Sequence, residues 1–101
     1  MPIRKHTDAT LASDPQFTGG RILVLFTEEW CGPCQTLHRM LGEIESEIAI
    51  AEVEPSKNPG LKNAFDVKAT PTLYLLDKGD VLNKMVGAPQ SWAQLRQFAQ
   101  L

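Results

Sequence analysis

The chain contains two cysteines, Cys31 and Cys34, which lie three residues apart in the stretch EEWCGPCQ. Thiols at this spacing can alternate between a dithiol and a disulfide, supply half of a metal site, or form a short structural cross-link. A zinc site would need two further ligands, and neither His6 nor His38 lies at a recognisable ligand spacing. The choice between the other two depends on the elements that hold the cysteines.

The cysteines fall between a predicted strand and a predicted helix. The run ILVLF at 22–26 follows two glycines and predicts a strand buried on both faces of a sheet. After Pro33, apolar residues recur at helical spacing, which predicts an amphipathic helix that Gly42 weakens but need not end. The apolar stripe of that helix consists of Leu37, Met40, Leu41, Ile44 and Ile48. A second strand before Pro55 completes a βαβ unit.

The second half of the chain predicts a helix and a hairpin. A short helix is expected after Asn58, with this residue as its N-cap and Pro59 at the first helical position. Two strands at 72–76 and 81–86 flank a turn that contains Gly79, which predicts a hairpin. These elements extend the βαβ unit into one sheet with an antiparallel end.

Helices are predicted at both ends of the chain. A short N-terminal helix is expected with Thr7 or Asp8 as its cap and with Pro15 limiting its length. At the C-terminus, Ser91 and Gln94 have the spacing of a capping box. The apolar stripe of this last helix, expected to face the core, consists of Trp92, Leu95, Phe98 and Ala99.

Length and composition restrict the class of protein. At 101 residues, of which 43% are hydrophobic and 22% charged, the sequence predicts one folded domain at 1–101. The net charge of −2, with scattered basic residues, predicts no nucleic acid partner. No apolar run approaches the length of a membrane span, and the N-terminal stretch lacks the apolar core of a secretory signal. We therefore expect a cytoplasmic protein with no membrane partner, and permanent disulfide cross-links are unusual there.

The predicted strand-to-helix junction gives the two thiols different environments. Cys31 falls at the N-cap region, where free N–H groups and the helix dipole stabilise a thiolate. Cys34 lies one turn later on the apolar side of the helix, so it should be the more buried thiol. Pro33 suits the first helical turn and stiffens the pair. This asymmetry predicts that Cys31 attacks a disulfide and that Cys34 resolves the mixed disulfide.

Several segments together resemble the thioredoxin family. The motif WCGPC follows the strand ILVLF, and the segments NPG at 58–60, ATPTL at 69–73 and VGA at 86–88 lie at the expected distances. The resemblance covers residues 3–101. It implies an α/β thioredoxin fold, with a central mixed β-sheet flanked by helices on both faces. It also implies a thiol–disulfide oxidoreductase that reduces protein disulfides.

The resemblance assigns roles to individual residues. Cys31 corresponds to the nucleophile and Cys34 to the resolving cysteine, with Gly32 and Pro33 completing the motif between them. The surface that binds substrate is implied to consist of Trp30, Thr70, Pro71 and Gly87, with Pro71 in the cis form. The family further implies disulfide-containing protein substrates and electrons from NADPH through a thioredoxin reductase. It implies a monomer with no bound cofactor beyond the Cys31–Cys34 disulfide.

The chain departs from the family beneath the motif. Leu25 stands where thioredoxins usually have a buried aspartate, and Glu52 stands where they usually have the lysine that pairs with it. We hypothesise that Glu52 supports the active site as proton acceptor for Cys34; alternatively, it points to solvent as an ordinary strand-edge charge. These departures leave open a second function, a thioredoxin-like protein-binding module with weak redox activity.

Two further features near the motif allow more than one interpretation. His38 lies four residues after Cys34, so it could act as a base. We expect instead a partly buried helix residue bonded to backbone or water, because nothing else in the sequence completes a Cys–His–acid array. Glu28 and Glu29 are expected to be solvated.

Overall fold

The computed structural model describes residues 3–101 and contains one five-stranded sheet with four α-helices. The sheet order is β1-β3-β2-β4-β5. The strands are β1 (Arg4–Lys5), β2 (Arg21–Phe26), β3 (Ala49–Val53), β4 (Thr72–Asp77) and β5 (Asp80–Val86). The helices are α1 (Pro15–Gly19), α2 (Gly32–Gly42), α3 (Pro59–Ala64) and α4 (Trp92–Ala99), with short 3₁₀ turns at Leu11–Ser13 and Pro55–Lys57.

The predicted fold class is confirmed. Strands β1, β3 and β2 are parallel, whereas β4 is antiparallel to β2 and β5 is antiparallel to β4. The short strand β1 was not predicted, because two residues carry no readable hydrophobic period. Its Arg4 and Lys5 pair with Ala51 and Glu52 of β3. The N-terminal segment therefore reaches the strand beside the active-site strand β2.

The sheet carries an apolar core on each face. Successive residues of β2 point to opposite faces, so its unbroken run of apolar residues serves both cores. The α2 and α4 side is formed by Leu23, Leu25, Leu37, Leu41, Ile44, Ile48, Ile50, Leu73, Leu75, Leu95, Phe98 and Ala99. The α1 and α3 side contains Ile22, Val24, Phe26, Tyr74 and Leu76, with Phe17, Leu61 and Phe65 packed against them.

Helix α2 ends earlier than its apolar stripe. The α-helical hydrogen bonding stops at Gly42, and the Glu43 N–H bonds back to the carbonyls of Met40 and Leu41. Glycine has low helix propensity, and the chain must turn here to enter β3 at Ala49. Ile44 and Ile48 are nevertheless buried. The periodicity therefore identified the core-facing side correctly, with Met40 only partly buried there, but overestimated the length of the helix.

The last helix confirms its predicted cap and corrects one core position. The Ser91 hydroxyl accepts a hydrogen bond from the Gln94 N–H at 3.1 Å. Leu95 and Phe98 are buried as expected. Trp92, however, is 48% exposed, and the whole first turn of α4 at 92–94 is exposed, so burial begins only at Leu95. The prediction that Trp92 is a core residue was wrong.

The N-terminal helix begins at Pro15 instead of being limited by it. Asp14 is the N-cap of α1 and accepts a hydrogen bond from the Gln16 N–H at 2.8 Å. The carboxylate is 4% exposed and also contacts Arg4 and the His6 ring, each at 2.8 Å. Burial raises the pKa of Asp14, but the hydrogen bonds from Gln16 and His6 and the charge of Arg4 outweigh it and lower the pKa. The predicted caps Thr7 and Asp8 do not cap α1.

Asp8 instead caps α3, which is distant in sequence. Its carboxylate accepts hydrogen bonds from the N–H groups of Gly60, at 3.0 Å, and Leu61, at 2.8 Å. Asn58 precedes α3 as predicted but makes no side-chain cap hydrogen bond to it. The Asn58 side chain accepts from the Asp8 N–H and donates to the Glu54 carbonyl. Asn58 thus holds the capping loop, and Asp8 supplies the cap.

Candidate active site

Cys31 and Cys34 lie between the end of β2 and the first turn of α2, as predicted. Cys31 is the N-cap of the helix, and its Sγ accepts a hydrogen bond from the Cys34 N–H at 3.2 Å. The two residues are joined in a disulfide with their Cα atoms 5.2 Å apart. Gly32 and Pro33 are the first residues of α2, where the missing N–H of proline removes no helical hydrogen bond. A sulfur at this position can receive a helix N–H, which favours the thiolate.

The two cysteines differ in exposure in the predicted order. Cys34 is fully buried, whereas Cys31 is 9% exposed. Even Cys31 is therefore mostly covered in the disulfide form. Beside it, Trp30 is 75% exposed. The accessible part of the pair is therefore the Cys31 side, next to the indole of Trp30.

Three loops meet at the edge of the sheet that carries the cysteines. Phe26 at the end of β2 pairs with Thr72 at the start of β4, and Thr72 pairs with Val86 at the end of β5. The loop after β2, the loop before β4 and the loop after β5 therefore emerge together. They carry all the sequence-predicted substrate-binding residues, namely Trp30, Thr70, Pro71 and Gly87.

The loops before β4 and after β5 are tied to each other. The Thr70–Pro71 peptide bond is cis, as the resemblance implied. The Gly87 N–H donates to the Pro71 carbonyl at 2.8 Å. Gly87 has a φ of +90°, a conformation that residues with a side chain rarely adopt. The glycine thus allows the turn that brings its N–H to Pro71.

A groove of about 200 Å³ runs between the motif loop and the loop before β4. Trp30 and Thr70 line it from opposite loops, with Val67 at its apolar wall. Its charged lining residues are Glu28, Lys62 and Lys68. The groove therefore places two of the predicted substrate-binding residues around one concave surface.

Beneath the motif, the polar group comes from β3 and not from β2. Leu25 is fully buried and belongs to the apolar core. Its register partner on β3 is Glu52, which is only 7% exposed. The alternative that Glu52 is a solvated strand-edge charge is therefore wrong. Leu25 and Glu52 occupy neighbouring positions in the sheet, so the acid beneath the motif lies one strand away from the position at which the resemblance implied an aspartate.

Glu52 is bonded to His38 of α2. The imidazole Nδ1 and Glu52 Oε2 are 2.6 Å apart, and the His38 side chain is 50% exposed. The expectation that His38 bonds to backbone or water was wrong, because the carboxylate partner lies on β3, fourteen residues later in the chain. Cys34, His38 and Glu52 line a common cavity of about 120 Å³. Glu52 is thus the acid that pairs with His38, and the pair shares a cavity with Cys34.

Glu28 was also misjudged from the sequence. It is 6% exposed, and its carboxylate accepts hydrogen bonds from the Ser56 hydroxyl, at 3.0 Å, and the Ser56 N–H, at 3.2 Å. Its carbonyl accepts from the Cys31 N–H at 3.2 Å. Glu28 therefore connects the motif loop to the turn after β3. Its partner lies 28 residues away, so no local signal identifies it. Glu29, by contrast, is exposed as expected.

Within residues 3–101, no cluster of three or more His, Cys, Asp or Glu side chains is arranged to hold a metal ion. None of the helices in this described range is long and apolar enough to cross a membrane.

Comparison with known proteins identifies the family. The family model described as Thioredoxin matches residues 3–100. The chain belongs to the thioredoxin family. Thioredoxin of Mycobacterium bovis is 34% identical over 99 residues, which cover 94% of this chain and 85% of that protein. A bifunctional thioredoxin reductase/thioredoxin of Mycobacterium leprae is 33% identical over 97 residues, which cover 92% of this chain and 21% of that protein.

A solved structure of the same family has the same architecture. The X-ray structure of Fasciola hepatica thioredoxin superimposes with a TM-score of 0.84 at 25% sequence identity, covering 97% of each chain. Family membership and the Cys31–Cys34 disulfide together establish the activity. The chain is a thiol–disulfide oxidoreductase whose redox-active centre is the cysteine pair. This chemistry needs no bound cofactor.

Proposed function

We propose that Cys31 attacks protein disulfides and that Cys34 resolves the resulting intermediate. The Cys31 thiolate of the reduced chain attacks one sulfur of the substrate disulfide, forming a mixed disulfide and releasing one substrate thiolate. Cys34 then loses its proton and attacks Cys31 Sγ. The Cys31–Cys34 disulfide forms, the bond to the substrate breaks, and the second substrate thiolate leaves. Two electrons have then passed from the cysteine pair to the substrate.

The observation that carries this assignment is the different placement of the two sulfurs. Cys31 is the N-cap of α2 and the more exposed of the pair, beside Trp30. A thiolate there receives the Cys34 N–H and the positive end of the helix dipole. Cys34 is fully buried and cannot meet a protein substrate first. Gly32 and Pro33 hold the turn that keeps the sulfurs in reach of each other.

Resolution requires a group that takes the proton from Cys34, and we assign this role to Glu52. Leu25 has no acidic group, so it cannot act as the usual family aspartate does. Glu52 is the register partner of Leu25 and lines the same cavity as Cys34. Its burial and its place in that cavity support the assignment.

We assign substrate binding to the surface formed by the three loops at the edge of the sheet. Trp30 and Thr70 line one groove, and the Gly87–Pro71 hydrogen bond keeps the remaining two residues adjacent. The exposed indole of Trp30 offers apolar contact, and the Thr70 backbone is proposed to pair with the substrate backbone. Gly87 lets the substrate chain approach closely, because it has no side chain.

We further infer that residues 1–101 act as one domain, as a monomer, in the cytoplasm. Electrons are proposed to come from NADPH through a thioredoxin reductase. The Mycobacterium leprae relative carries both thioredoxin reductase and thioredoxin in its name, which supports a reductase as partner. The partners on the other side are proteins that contain disulfides.

Insulin reduction tests these assignments, with dithiothreitol as reductant and then with NADPH and a thioredoxin reductase. We expect the wild type to be active and Cys31→Ser to be inactive. Cys34→Ser should not turn over, but it should retain a substrate as a mixed disulfide on Cys31, which mass spectrometry under non-reducing conditions detects.

The same experiment contains the outcomes that contradict the proposal. A stable adduct on Cys34 in the Cys31→Ser variant, with none in Cys34→Ser, would reverse the two roles. A wild type that binds a disulfide protein but does not reduce it would favour the binding module. Activity with dithiothreitol but not with the reductase would remove the proposed electron donor while leaving the cysteine roles intact.

A further inference from the structure

We propose that His38 is a positioning residue that holds Glu52 in the cavity of Cys34 and passes the proton of Cys34 to solvent during resolution. The inference rests on the proposed role of Cys34 as the resolving cysteine. The structural basis is the contact between His38 Nδ1 and Glu52 Oε2, at 2.6 Å, at the cavity that Cys34 also lines.

The hydrogen bond determines how the imidazole is oriented. A carboxylate accepts hydrogen bonds, so Nδ1 of His38 is the nitrogen that donates to Glu52. The bond holds the Glu52 side chain in one direction and leaves the His38 Nε2 as the nitrogen that can release or take up a second proton. Glu52 is 7% exposed, whereas the His38 side chain is 50% exposed. The pair therefore connects a buried acid to bulk solvent.

The burial of Cys34 makes such a route necessary. The residue is fully buried, so its thiol cannot give its proton directly to bulk water. The cavity of about 120 Å³ that it shares with Glu52 can hold water, since roughly 10–15 Å³ of such volume is enough for one molecule. A proton can thus pass from Cys34 to Glu52, directly or through water, and leave through His38.

Other charged residues face the same cavity from the surrounding elements. These are Lys5 of β1, Glu28 and Glu29 of the loop before α2, and Glu54 after β3. Lys5 is exposed and is the register partner of Glu52, and Glu28 is bonded to Ser56. Carboxyl and ammonium groups ordinarily change charge outside pH 5–8, whereas imidazole does so within it. Activated thiols can also change charge in that window, so only an inflection that is lost in His38→Ala reports on His38. His6, which lines a second cavity with Glu52 and is bonded to Asp14, is still present in that variant.

The proposed step balances as follows. The Cys34 thiol gives its proton to Glu52, and its sulfur attacks Cys31 Sγ in the mixed disulfide. The Cys31–Cys34 bond forms as the Cys31–substrate bond breaks, and the substrate leaves as a thiolate. Protonated Glu52 donates to the Nδ1 of the His38 tautomer that carries its hydrogen on Nε2; Nδ1 takes the Glu52 proton as Nε2 releases its own proton to solvent. The pair is left with Nδ1–H bonded to the Glu52 carboxylate, and proton exchange of the half-exposed ring with solvent restores the first tautomer. The departing thiolate takes a proton from solvent. The cysteine pair supplies both electrons, so no further oxidant or reductant is needed.

A two-phase reaction with 5,5′-dithiobis(2-nitrobenzoate) separates attack from resolution. With reduced protein in excess, attack by Cys31 releases the first nitrothiobenzoate and resolution by Cys34 releases the second; stopped-flow absorbance follows both between pH 5.5 and 8.5. We expect His38→Ala to slow the second phase at least about 10-fold and to leave the first phase within about twofold. The wild-type second phase should show an inflection between pH 5.5 and 8 that this variant lacks.

Three further variants identify the cause of any slowing. Added imidazole should restore the second phase of His38→Ala, because the site is half exposed. His38→Gln can still donate to Glu52 but cannot carry the proton, so it should be slow as well. Combining His38→Ala with Glu52→Gln should slow the reaction no further than either alone, since the pair acts as a unit. Arg39→Gln is the control: it removes a cation from the next exposed position of α2, and the rates of both phases should equal those of the wild type.

Four outcomes would overturn the inference: equal slowing of both phases, a wild-type pH profile in His38→Ala, absence of imidazole rescue, or a His38→Gln variant as fast as the wild type. A separate variant tests the cysteine roles on which the inference rests. A second phase that persists in Cys34→Ser would contradict the resolving role of Cys34, whatever the His38 variants do.

Discussion

Placing an acid at position 25 is the sharpest test of the environment beneath the motif. Leu25 is fully buried in the apolar core and is the register partner of Glu52 on the neighbouring strand. Leu25→Asp introduces the carboxylate that the family usually has, but here next to a second carboxylate. Leu25→Asn is the matched control, because it has the same shape and no charge.

The structure sets the size of the expected effect. Leu25→Asn loses the burial of a leucine and buries an amide, which together should cost about 4 kcal/mol of unfolding free energy. Adjacent strands lie about 5 Å apart, so two carboxylates there repel by about 3 kcal/mol at an effective dielectric constant near 20. At pH 8 the stability of Leu25→Asp should therefore lie about 3 kcal/mol below that of Leu25→Asn. For a domain of this size this corresponds to a Tm lower by roughly 10 °C or more.

The sign of the pH dependence follows from the same geometry. Burial and the neighbouring charge of Glu52 raise the pKa of the introduced carboxyl above its ordinary value near 3.9. The group is neutral in both the folded and the unfolded chain only below its ordinary pKa, so the two variants should have similar stability near pH 3.5, and the difference should widen as the pH rises to 8. Urea denaturation of the disulfide form at both pH values measures this gap.

A compensating change at position 52 completes the test. Leu25→Asp combined with Glu52→Lys restores an acid–lysine pair. The double variant should therefore lose most of the pH-dependent difference in unfolding free energy from Leu25→Asn. If Leu25→Asp and Leu25→Asn were equally stable at pH 8, the side chains at positions 25 and 52 would not share a water-poor environment. The structural argument for Glu52 as the acid beneath the motif would then be refuted.

Two further predictions concern the carboxylates of the N-terminal segment. Asp14→Asn should lower stability by about 1–2 kcal/mol at pH 7, because it weakens the charged hydrogen bonds that lower the Asp14 pKa. This contribution is present above the ordinary aspartate pKa and is lost as the pH falls below it, so urea midpoints of variant and wild type should converge near pH 3. Asp8→Ala removes the cap of α3 and should cost about 1 kcal/mol in urea denaturation at pH 7, whereas an unchanged midpoint would show that the cap adds no stability.

Local patterns in the sequence determined the strand and the helix that hold the two cysteines of the active site. The apolar run at 22–26, the helical stripe after Pro33 and the N-cap position of Cys31 are properties of neighbouring residues. They predicted a buried strand, a following helix and two thiols in different environments, and the structure contains all three. Strand and helix periods depend on short-range geometry, so a single sequence displays them.

The tertiary structure alone decided which side chains surround that strand and helix. Glu52 reaches the cavity of Cys34 through the β2–β3 register, and its bond to His38 joins a strand to a helix. In the same way, Asp8 caps a helix more than fifty residues away, although its local sequence indicated an N-terminal cap. A one-residue change of register would turn Glu52 to the other face of the sheet. Such contacts follow from long-range packing, which no local period encodes. They place beneath the motif the acid that we propose takes the proton from Cys34 in a chain with leucine at position 25.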